Sequence, residues 1–178
     1  KDNPEKAYEL TNKANSIAII TDCSDFPDFE TINPLSALPH IESKAVLYKE
    51  LAGIDAYPVV VNTKDIEEIA ETIVNLMPNF AGFDAEAMLP ERSATLENML
   101  RSKEIPIFWS YRSPHLFLAL ENTGLLNRIQ SEMIVPALMR AAIDMNVTTI
   151  NDEMYDAISE ALKECDRQGI LTDHCCNQ

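Results

Sequence analysis

The run Ser16-Ile17-Ala18-Ile19-Ile20-Thr21 decides the fold. It is short, apolar and rich in β-branched residues, which describes a strand buried on both faces. Such strands belong to mostly parallel sheets covered by helices on either side. Upstream, Asn3-Pro4-Glu5 opens a helical pattern with Tyr8, Leu10 and Ala14 at its apolar or small positions, Pro4 being tolerated in a first turn. Downstream, residues 22–39 form a long irregular loop rich in Asp, Pro and Phe. A helix over 41–51 follows, with Gly53 where a C-cap belongs.

The alternation then repeats. Tyr57-Pro58-Val59-Val60-Val61 is a strand that accepts Pro58 only at its start or on an edge. Thr63 or Asp65 caps a helix running to Met77, with Ile66, Ile69, Ile73, Val74 and Leu76 at helical spacing. Residues 80–83 form a short strand, and 90–103 an amphipathic helix with Leu96, Met99 and Leu100 inward. Residues 105–109 form a further strand, followed by a helix from Ser113 or Pro114 to Leu120. After Gly124 the strands stop, and residues 131–145 and 152–168 read as two helices. The expected class is α/β: a mainly parallel sheet with helices on both faces, plus a C-terminal helical tail. The expected division is an α/β domain over 1–124 and the tail over 125–178.

A formal net charge of −15 argues against a nucleic-acid partner, which needs clustered Lys and Arg. It does not exclude a small dicarboxylate held by a local lysine. Four cysteines, Cys23, Cys165, Cys175 and Cys176, show no repeated spacing, so a reducing compartment is expected. That means the cytoplasm or an organelle interior, with the mitochondrial matrix open if a presequence has been removed. His174-Cys175-Cys176 is read as a polar tail rather than a metal fragment, because no C-x-x-C partners it. No run is long or apolar enough to insert in a membrane, and no signal peptide is expected.

Four further stretches carry a resemblance. Asp2-Asn3-Pro4-Glu5-Lys6-Ala7-Tyr8-Glu9-Leu10-Thr11-Asn12-Lys13-Ala14-Asn15 is one, and the run from Lys44-Ala45-Val46-Leu47-Tyr48-Lys49-Glu50-Leu51 to Ala52-Gly53-Ile54-Asp55-Ala56-Tyr57-Pro58 is the second. Asn62-Thr63-Lys64-Asp65-Ile66 and Ile105-Pro106-Ile107-Phe108 are the third and fourth. Together they resemble the N-terminal substrate-binding domain of bacterial-type malic enzymes, from about Asn3 to about Leu120. The resemblance implies a lysine general base, a tyrosine general acid, three carboxylates around a divalent metal and a separate NAD(P)-binding domain. Lys44 falls on the lysine. The tyrosine would lie upstream of residue 3, and Tyr8 is not it.

The sequence departs from that pattern at its chemistry. The family's adjacent Glu-Asp pair falls on Glu86-Ala87, or on Ala85-Glu86 with a one-residue slip, so Glu86 is the only retained ligand position. Asp84 nearby is a candidate substitute ligand, but an ordinary surface aspartate is the expectation. The later His-Asp-Asp-Gln-His-Gly motif falls on Trp109-Ser110-Tyr111-Arg112-Ser113-Pro114, where both aspartates are gone. The glycine-rich loop after the first strand falls on residues 21–34, which contain no glycine. There Phe26 and Phe29 offer an apolar contact, most simply made back onto the domain. The four glycines, Gly53, Gly82, Gly124 and Gly169, cannot build G-x-G-x-x-G.

The expectation is therefore a degenerate malic-enzyme-like domain lacking the nucleotide-binding domain, with no cofactor and no metal. It would be catalytically inactive, with a structural or assembly role as a subunit of a homo- or hetero-oligomer. One alternative is a dicarboxylate sensor using Lys44, Lys49 and Arg112 as anion contacts. The other is a decarboxylating malate oxidoreductase that borrows its nucleotide domain from another chain.

Overall fold

A computed structural model describes residues 3–26, 33–101, 103, 108–110, 121, 123, 131–145, 147 and 151–169. Helix α1 spans Lys6–Leu10 and strand β1 Ser16–Thr21. Helix α2 (Leu38–Ala52), β2 (Asp55–Val60), α3 (Ile66–Leu76), β3 (Gly82–Ala85), α4 (Pro90–Arg101) and β4 (Phe108–Ser110) follow. Helices α5 (Ser131–Asp144) and α6 (Asp152–Arg167) complete the described elements. All described strand pairs are parallel, in the order β2-β1-β3-β4. The α/β class with a mainly parallel sheet is as the sequence implied.

Every residue of β1 is buried, because the strand has a neighbour on each side and a helical layer on each face. Alternation sorts its side chains. Ile17 and Ile19 join Ile41 and Tyr48 of α2 and Ile54, while Ala18 and Ile20 join Ile69, Ile73, Leu96 and Leu100 of α3 and α4. Each buried isoleucine contributes roughly 1.5–3 kcal/mol. The first layer is completed by the tail: Ile134, Val135, Leu138, Met139 and Ala142 of α5 and Tyr155 of α6 lie in the same core as Ile17 and Ile41.

Local chemistry accounts for the boundaries. Gly53 ends α2 at φ 66, where its N–H donates to the Lys49 carbonyl and the Ile54 N–H to the Tyr48 carbonyl. The Asp65 side chain caps α3 by accepting from Glu67 N, and Asn151 caps α6 by accepting from Met154 N. The single helix expected from residue 3 to 15 is broken. Thr11 is extended, its hydroxyl donates to the Ala7 carbonyl and accepts from Lys13 N, and a short 3-10 turn, Asn12–Asn15, follows. The strand expected at 80–83 is shifted to Gly82–Ala85. The helix expected near 113–120 lies outside the described residues.

β2 sits at one end of the sheet and carries Pro58 within it. Among the described residues, no helix is long and apolar enough to cross a membrane.

Candidate functional site

In an open parallel sheet, ligands bind where the chain leaves adjacent strands in opposite directions, beyond their carboxyl ends. Here that place lies between β1 and β3: the chain leaves β1 for β2 on one side and comes back to β3 on the other. The segments beginning at Asp22 and Glu86 meet there.

β3 alternates as β1 does. Phe83 and Ala85 enter the core under α3 and α4, so Asp84, and Glu86 just past the strand, turn toward α2. The facing residues of α2, His40, Lys44 and Tyr48, stand on successive turns of one helix stripe. The Tyr48 hydroxyl donates to Asp84 Oδ2 at 2.7 Å. Lys44 Nζ lies 3.9 Å from Glu86 Oε2, and His40 Nε2 lies 3.3 Å from Glu86 Oε1. Exposure falls inward along the stripe: the His40 side chain is 41% exposed, Lys44 12%, and Tyr48 is buried. The Phe26 ring stands edge-on to His40 with centroids 5.7 Å apart.

Asp84 is buried, contrary to the surface position expected of it. A strand covered on both faces leaves a polar side chain no route to water, so Tyr48 supplies a partner for one carboxylate oxygen. Among the described residues the other, Oδ1, has none. Burial first, and the charge of Glu86 second, push the Asp84 carboxyl up to about 7. Burial, followed by the Asp84 charge, pushes the Tyr48 phenol well above its ordinary value.

The two segments that flank the crevice are stitched together. Asp25 N donates to the Ala87 carbonyl at 3.1 Å, Leu89 N to Ser24 Oγ at 2.8 Å, and Thr21 Oγ1 to the Ala87 carbonyl at 3.4 Å. Cys23 at φ 64 and Ala87 at φ 50 hold left-handed backbone that side-chain-bearing residues seldom adopt. This is strain of order 1–2 kcal/mol at each position, sustained by the bonds around it. Asp22, fully buried, is fixed by Ser24 N at 2.9 Å and Arg92 Nε at 2.7 Å, and Arg92 Nη2 also donates to the Lys64 carbonyl. Burial and the Asp22 charge push the Cys23 thiol up, so it is not poised as a nucleophile.

Of the residues singled out from sequence, the structure brings together Lys44 and Glu86. Lys49 does not join them. It is well exposed, and it pairs with Asp55 at 2.7 Å near the amino end of the sheet. Arg112, Phe29, His174, Cys175 and Cys176 lie outside the described residues. His40, Tyr48 and Asp84 were missed as a set, although H-x-x-x-K-x-x-x-Y on one helix and D-x-E across a strand end carry the signal.

A divalent ion of the kind the resemblance implies needs several oxygen ligands. Asp84 is engaged by Tyr48, Glu86 by His40 and Lys44, and the lysine ammonium would repel a cation. No group of three or more His, Cys, Asp or Glu among the described residues is placed to hold a metal. These residues do not fit the ion. The described glycines do not fit a pyrophosphate turn either: Gly53 ends α2, Gly82 begins β3, and Gly169 follows α6.

No family model matches the chain. It is 35% identical over 130 residues to an NAD-dependent malic enzyme of Geobacillus stearothermophilus, covering 72% of this chain and 27% of that protein. It is also 35% identical over 126 residues to a bifunctional malic/malolactic enzyme of Bacillus subtilis, covering 70% of this chain and 30% of that protein. Among solved structures, a malic enzyme from Pyrococcus horikoshii superposes with a TM-score of 0.61 at 30% identity, over 71% of this chain and 29% of that one. The chain thus spans less than a third of the length of these relatives. Identity and fold agree over the same share of the sequence, and the chain belongs with the malic enzymes as a partial malic-enzyme domain.

Proposed function

We propose that this chain is a malic-enzyme relative that has given up the family's chemistry and serves a structural or assembly role, as a subunit of a homo- or hetero-oligomer. The observation that carries this reading is the state of Glu86. The one carboxylate at a family ligand position is buried and turned onto Lys44 and His40, and the residue after it is an alanine whose carbonyl ties down the facing loop. Lys44, at the family's general-base position, is there a structural counter-ion for two buried carboxylates. The stitched crevice between β1 and β3 supports the same reading, since its walls hold each other. Exposed apolar side chains, Leu35, Val46 and Tyr57 among them, supply surface for protein contacts. In this reading residues 1–124 are the malic-enzyme-like domain, and 125–178 a tail that covers one sheet face.

Calorimetric titration with Mn²⁺, with malate and with NAD⁺ tests the loss of chemistry, and sedimentation at low micromolar concentration tests assembly. Heats at background and a species heavier than the monomer are expected. Saturable Mn²⁺ binding at micromolar levels would overturn the proposal and favour a malate oxidoreductase completed by another chain. A monomer that binds malate without metal would favour the dicarboxylate sensor, for which the half-exposed His40 beside Lys44 is the supporting observation.

A further inference from the structure

We draw no further inference here: the strongest candidate, the buried side-chain cluster in which His40, Lys44 and Tyr48 of α2 face Asp84 and Glu86 at the end of β3, belongs to the site already described and carries beyond it only the titration of a carboxylate beside the family's metal-ligand position.

Discussion

The two ends of the sheet hold the same chemical groups in opposite circumstances. At the carboxyl end, Asp84 and Glu86 face Lys44 from inside the protein. At the amino end, Asp55 meets Lys49 at 2.7 Å and accepts from the amides of Asn12 at 3.0 Å and Asn15 at 3.3 Å, all near solvent. The hydrogen bond from Lys49, then that from Asn12, lowers the Asp55 carboxyl below its ordinary range. Burial raises Asp84 to about 7 despite its bond from Tyr48. Access to water, rather than the presence of a partner, therefore sets the sign of the shift. The amino end is an ordinary surface network, and the carboxyl end is a place where each charge depends on its neighbours.

The largest difference between the ends should appear on removing each lysine charge. Lys44→Met leaves two buried carboxylates facing an uncharged stem and should cost about 3–5 kcal/mol at neutral pH. The cost should shrink at pH 5, where Asp84 holds its proton. Urea denaturation at both pH values measures this, and a pH-independent cost below about 1 kcal/mol would erase the contrast.

The next test is pH itself. Asp84 titrates at about 7 in the folded protein and near 3.9 when unfolded. The folded state thus binds more protons between those values. Its contribution is fully present below about pH 4 and is lost as pH rises through about 7, an effect on the order of a few kcal/mol. Asp84→Asn should flatten that part of the stability profile. An unchanged slope would mean that Asp84 is ionised throughout.

How much of this was legible in sequence follows from the same contrast. β1 and β2 were readable because apolar, β-branched runs need no distant partner to be recognised. Gly53 and the Asp65 cap were readable for the same local reason. Asp84 was not. A lone aspartate at a strand end looks like a surface residue until α2 is laid across it, and placing the strand at 80–83 left Asp84 outside it. The family resemblance drew attention to Lys44 and Glu86 one at a time. It said nothing of Tyr48, whose hydroxyl answers a carboxylate 36 positions away.

Tyr48→Phe isolates that one bond. It strips Asp84 Oδ2 of its donor and should cost about 1–3 kcal/mol, with the Asp84 titration moving further upward because the bond from Tyr48 opposes the rise. Carbon-detected NMR of the carboxyl group reads this directly, and a downward shift would contradict it. The smallest effect belongs to the amino end. Lys49→Met should cost less than about 1 kcal/mol and become undetectable in high salt. Its sign also differs: the lowered Asp55 value contributes stability above the unfolded pKa that is lost as pH falls through the folded one. A cost equal to that of Lys44→Met would show that the two ends do not differ.

Pro58 in β2 has a consequence for how such a domain keeps company. Val61 N donates inward to the Thr21 carbonyl. Backbone direction alternates along a strand, so position 58 faces outward, where among the described residues β2 has no neighbour. Proline leaves a gap in the row of N–H donors there. A passing strand therefore finds the sheet's open margin unable to complete a ladder. The side chains of β2 stay available for contact while its backbone offers an incomplete ladder to a growing fibre.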